Sequence, residues 1–196
     1  MGGRPKKGTG IGTAWSAGLL ALVLVLFVGL PSTLAQARAA GCRGAGVRPS
    51  AANAAVVDAA TLCLIDQIRA AHGLRPLHAN AELGAVAASQ VTSMVRSNYF
   101  ADVRPTGQTP MSLVGSTRYR AHAARIAVGQ NIAWGTGRYS TPEHIVAEWM
   151  ASPPHREIIL DGEFHDAGTG VTPALPSVLG AGHYGALYAI ELGVRN

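Results

Sequence analysis

Neither a Gly-x-Ser-x-Gly elbow nor a His-Glu-x-x-His pair occurs in the sequence, which removes two hydrolase signatures that can be read without a structure. Cysteine is scarce. Cys42 and Cys63 are the whole supply, too few to build a thiolate zinc site, which draws on three or four protein ligands. Lysine is absent after Lys7, so every later basic residue is Arg. No internal repeat and no long low-complexity stretch is found beyond residue 39. Only one apolar run is long enough to suggest a membrane or an exporter, and it lies near the start.

That run extends from Ala14 to Leu30, behind Arg4, Lys6 and Lys7 and with no acid before it. Pro31 and a series of small residues follow, including Ala37-Arg38-Ala39, the small-x-small pattern of a signal peptidase site. The expected cut falls between Ala39 and Ala40, or else after Ala37. An uncleaved anchor is the other possible use of the run, which sits at the lower edge of the about 17–25 residues needed to span a bilayer. No Arg-Arg pair precedes the run, so a Sec-type signal is expected and a twin-arginine one is not. Residues 1–39 are therefore read as a signal peptide and the mature chain as secreted, with no membrane span after cleavage.

Cleavage takes away Arg4, Lys6, Lys7 and Arg38, four of the sixteen basic residues, and none of the eleven acids. The mature chain then stands near neutrality, and its composition argues against a nucleic-acid-binding surface. It keeps 157 residues, enough for one domain with a real core. Outside the cell an even pair of cysteines reads as a disulfide, here Cys42 to Cys63. It would tie an N-terminal extension, residues 40–59, to the domain proper at 60–196.

Helical periodicity runs from Ala51 to His72, with Val57, Ala60, Leu64, Ile68 and Ala71 on one stripe, and Gly73 is placed to end it. Leu74 to Leu77 is a connector. Asn80 is a fitting N-cap for a second helix from Ala81 to Ser97. Thr109-Pro110 and Thr141-Pro142 each set a capping residue before a proline at the first helical position, opening a third and a fourth helix. The fourth buries Ile145, Val146, Trp149 and Met150. Pro153-Pro154 ends it, and a helical turn from His155 to Leu160 follows. Strands are expected at Gly129–Gly135, Gly168–Thr172 and Ala186–Val194. The class is α+β: a small, mainly antiparallel sheet flanked by about four helices in an α-β-α sandwich.

Five stretches, in order, carry a resemblance: Leu62 to Arg69 with His72-Gly73-Leu74; Ser97-Asn98-Tyr99-Phe100; Gly129-Gln130-Asn131-Ile132-Ala133; Trp149 to Leu160; and Gly168-Thr169-Gly170-Val171 with the terminal apolar strand. Together they resemble the bacterial branch of the CAP superfamily, the SCP-like extracellular domain. The family is named after cysteine-rich secretory proteins, antigen 5 and plant pathogenesis-related proteins of class one. The resemblance implies an α-β-α sandwich, an extracellular location and a cleft lined by His and acidic side chains. It places that cleft at Asp102, Gln130, Asn131 and His155.

Metal-binding relatives are expected to carry a His where Asp102 stands and a Glu where Gln130 stands. A neutral amide is a weak ligand and no base. Asp102 and His155 remain as weak metal candidates, two where a catalytic zinc takes about three, so no cofactor is expected and divalent metal such as zinc is disfavoured. Alignment of the last strand sets Leu187 where eukaryotic members have a second His. His183 lies four residues earlier, about 13 Å along a strand. Ser152 near His155 is read as a helix-terminating or capping residue, and His72, His78, His122, His144 and His165 receive no role. Trp134, Trp149, Tyr99 and Phe100 could line a groove, though core packing is the commoner use. With no catalytic residue assigned, the expectation is a monomeric, non-enzymatic binder of a lipid, an envelope component or an extracellular protein. The alternative is a metal-assisted or acid–base hydrolase of an envelope polymer or peptide.

Overall fold

A computed structural model of the chain describes residues 41–180 and 184–196. The expected signal peptide and His183 lie outside the described residues.

Five helices and four strands follow in the order α1 (Ala54–Ala71), β1 (His78–Ala79), α2 (Ala81–Arg96), α3 (Pro110–Gly115), β2 (Ile126–Thr136), α4 (Pro142–Ala151), α5 (Pro153–Leu160), β3 (Asp166–Thr172) and β4 (Gly185–Arg195). The sheet order is β1-β3-β4-β2. β1 pairs with β3 in parallel, and the other two pairings are antiparallel. The α+β sandwich is as expected, with one helix more than the sequence suggested, because His155 to Leu160 is a full short helix. The two-residue β1 lies just after the stretch read as a connector.

Local chemistry explains most boundaries. The Asn80 side chain accepts from the backbone N–H of Glu82 and Leu83 at 3.0 and 3.2 Å, satisfying donors that a helix start leaves open. Thr109 and Ser112 form a reciprocal capping box ahead of Pro110. Thr141 occupies the matching position before α4 but makes no capping bond. Its hydroxyl donates to the Arg138 carbonyl and meets His144 Nδ1 instead.

β4 alternates between two cores. Ala186, Tyr188, Ile190 and Leu192 join Val57 and Ile65 of α1 with Ile145, Val146 and Trp149 of α4 and Ile159 of α5. Leu187 and Ala189 face the other way, onto Ala87, Val91 and Met94 of α2. The period-2 pleat thus separates α1, α4 and α5 on one face from α2 on the other. β2 ends the sheet, and its outer edge is covered where the Trp149 indole N–H donates to the Ile132 carbonyl at 3.1 Å. Arg69, only 1% exposed, crosses from α1 and donates to the carbonyls of Arg75, Ile159, Asp161 and Phe164. The disulfide joins Cys42 to Cys63 with Cα atoms 5.8 Å apart, as expected. The expected boundary near residue 60 falls inside α1, which runs through it unbroken.

Candidate binding cleft

Gln130 and Glu191 stand directly opposite each other across the β2–β4 ladder. The pleat sends both to the α2 face, along with Ile132 and Leu187. The Gln130 amide nitrogen donates to Glu191 Oε1 in a short hydrogen bond. Glu191 is fully buried, and burial lifts its pKa to about 8. The Gln130 bond and the Arg104 charge oppose that rise, and the Asp102 charge adds to it. Among the described residues, two acceptors in this pair, Gln130 Oε1 and Glu191 Oε2, have no donor. A proton on Glu191 would turn one of these acceptors into a donor. Burial beside a neutral amide thus favours the protonated form of Glu191.

Asp102 follows α2 in an exposed bend. Its pKa is raised by desolvation, with the nearby charge of His155 pulling the other way. Gln90 of α2, fully buried, donates to the carbonyls of Ala101 and Asp102 at 3.0 and 3.2 Å and fixes this bend. His155 is half-buried in the first turn of α5, with Nδ1 2.8 Å from Ser152 Oγ. Ser152 occupies the N-cap position but makes no cap bond, so its hydroxyl serves His155 and not the helix. Asn131 is also buried. The pleat turns it to the face opposite Gln130, where its amide donates to the His155 carbonyl at 2.9 Å. It anchors α5 from behind.

The structure thus brings Asp102 within electrostatic reach of both His155 and Glu191, the partner of Gln130, while Asn131 lies on the opposite face against the His155 carbonyl. Glu191 escaped the sequence reading. Its signal was a single acid in an otherwise uncharged run from Gly185 to Val194, but the cross-strand register that pairs it with Gln130 is a tertiary fact. Among the described residues no three His, Cys, Asp or Glu side chains are grouped to hold a metal. Asp102 and His155 supply two donors, the Gln130 amide is turned to Glu191, and Glu191 is engaged in that bond. Of the aromatics, Trp149 lies in the core and Tyr99 and Phe100 pack against the α2-side cluster, while Trp134 stays 41% exposed.

Residues 62–174 match the family described as CAP, the Cysteine-rich secretory protein family. The chain belongs to this family. Its relatives include the Bacillus subtilis (strain 168) protein YkwD, 34% identical over 102 residues that make up 52% of this chain and 37% of that one. An extracellular protein containing an SCP domain from Bacillus anthracis superposes with a TM-score of 0.57 at 22% identity, over 71% of this chain and 40% of that one. An outer surface protein of Borrelia burgdorferi gives 0.56 at 17% identity, over 69% and 90% respectively. At these identities the superpositions establish the fold. The chain covers well under half the length of YkwD and of the Bacillus anthracis protein.

Proposed function

We propose that this CAP domain is exported and works as a non-enzymatic binding module, its cleft taking a lipid, an envelope component or an extracellular protein. The Gln130–Glu191 pair carries this reading. A general base must be ionised and within reach of its proton, whereas Glu191 is buried, bonded to an amide and favours the neutral state. Asp102, His155 and Ser152 remain at the surface to bind a ligand by hydrogen bonds and charge. Export is supported by the Cys42–Cys63 bridge, by structural neighbours described as extracellular and outer surface proteins and by the N-terminal sequence. Among the described residues no helix is long and apolar enough to cross a membrane.

One observation favours a second reading, acid–base hydrolysis of an envelope polymer or peptide. The Ser152 hydroxyl rests on His155, and His155 feels the charge of Asp102, which would suit a nucleophile–base pair. Co-sedimentation with purified cell-envelope material, followed by analysis of the supernatant, separates the two. Retention that weakens in Asp102→Asn and His155→Ala, without release of fragments, supports the binding module. Fragments whose release stops in His155→Ala establish the hydrolase. No retention of the native protein would sink the proposal.

A further inference from the structure

The outward side of α2 carries a second feature that the cleft does not use. A hollow of about 510 Å³ is lined by Ala88, Ser89, Thr92, Ser93, Arg96 and Ser97 of α2 and its C-cap, and by Arg104 from the following loop. No acid lines it. Neither Arg96 nor Arg104 has a carboxylate partner among the ion pairs of the described residues.

Arg104 is held in place. Its Nε donates to Gln90 Oε1 at 3.0 Å and its Nη2 to Ser89 Oγ at 2.9 Å, while Gln90 is itself buried and tied to two backbone carbonyls. Among the described residues Nη1 makes no hydrogen bond and remains a donor. Two hydroxyls are oriented by the same logic. Ser89 Oγ already accepts from Arg104, and Ser93 Oγ accepts from the Tyr99 hydroxyl at 2.9 Å. Each therefore has its own O–H free to donate. Thr92 differs, since its hydroxyl donates back to the Ala88 carbonyl.

A guanidinium held in place, a second one without a carboxylate partner and a lining free of acids describe a receptor for an oxyanion. A phosphate offers more acceptor oxygens than a carboxylate, and guanidinium forks match it well. We propose that this groove binds a phosphate group. A second hollow of about 240 Å³ adjoins it, sharing Ser89 and Arg104 and adding Ala85, Val86 and Leu113 with Ser116 and Thr117. A phosphate ester bearing an apolar chain can place its head on the arginines and its chain over Val86 and Leu113. Asp102, Gln130 and His155 line neither hollow, but the Arg104 charge also reaches Glu191, so Arg96→Gln is the variant that separates the groove from the cleft reading.

The test is titration of the oxidised protein with inorganic phosphate and, separately, with decyl phosphate. Calorimetry measures affinity and the arginine Nε–H NMR signals report the site. Binding of either probe should move the Arg96 and Arg104 signals. Arg96→Gln, an exposed change that leaves the fold intact, should weaken it about tenfold. Arg104→Gln should do at least as much, with a melting curve to check its fold. Binding of decyl phosphate tighter than inorganic phosphate assigns the apolar hollow to the ester chain, and equal binding assigns the site to the phosphate alone. Absence of saturable binding by both probes, or an affinity unchanged in Arg96→Gln, overturns the proposal.

Discussion

A carboxyl group buried beside a neutral amide is most comfortable protonated, and Glu191 is such a group. Its pKa of about 8 lies above the ordinary 4.5, so between those values the folded chain holds a proton that the unfolded chain releases. Stability from this site is full below about pH 4.5 and is lost as pH rises through about 8. The shift implies a change on the order of a few kcal/mol. Asp58 of α1 acts in the same direction, since burial raises its pKa to about 7 against the opposing Thr169 hydrogen bond. Stability measured by urea unfolding should therefore decline from about pH 5 to about pH 9. Glu191→Gln keeps a neutral partner for Gln130 and should flatten most of that slope, with Asp58→Asn removing much of the remainder. A slope identical in Glu191→Gln and the native protein would mean that Glu191 is ionised in the fold.

At the level of the elements, the contact between α2 and β3 is closer than side chains allow. A Cβ on Gly168 would lie 1.9 Å from the Gly84 backbone nitrogen, and one on Gly170 would lie 2.3 Å from that of Ala88. Backbone cannot yield as a flexible side chain can, so Gly168→Ala should force α2 off the sheet. A loss of roughly 3 kcal/mol or more is expected from overpacking at such a contact, visible as a fall in the urea midpoint. A loss under about 1 kcal/mol would show that α2 slides freely on the sheet. The Gly168-x-Gly170 spacing was visible in the sequence, but the reason for it was not. The same division runs through the fold. Caps such as Asn80 and Thr109 were legible because they act within three residues, and so was the apolar side of α4 through Ile145, Val146 and Trp149. The stripe expected on α1 was right only at Val57 and Ala60: the buried side continues through Thr61, Ile65 and Arg69, while Leu64 and Ile68 are half-buried and Ala71 is exposed. Arg69 was not legible, because its four carbonyl partners include three that lie ninety or more residues away. In the proposed cleft, His155 and Asp102 came from resemblance to short family motifs, whereas the Glu191 contact with Gln130 required the register of β4 against β2.

On the scale of the whole molecule, the N-terminal segment is the part with least core of its own. Residues 41–53 contain no regular helix or strand and attach through Cys42 and through the Glu143 N–H, which donates to the Ala45 carbonyl at 3.0 Å. The three apolar clusters draw their buried members from Val57 onward, so the sandwich does not depend on that segment for its core. The Cys42–Cys63 bridge closes a loop with a sequence separation of 21, worth roughly 3 kcal/mol if it acts by restricting the unfolded chain. The double variant Cys42→Ala with Cys63→Ala should therefore still fold, be less stable by about that amount, and unfold with a steeper urea dependence because its unfolded state is less confined. Amide exchange in the variant should quicken across 41–53 while β4 stays protected up to its new global stability. If exchange quickened equally in β4 and in 41–53 beyond what the lost stability explains, the bridge would be holding the sandwich itself together and the segment would be part of the core.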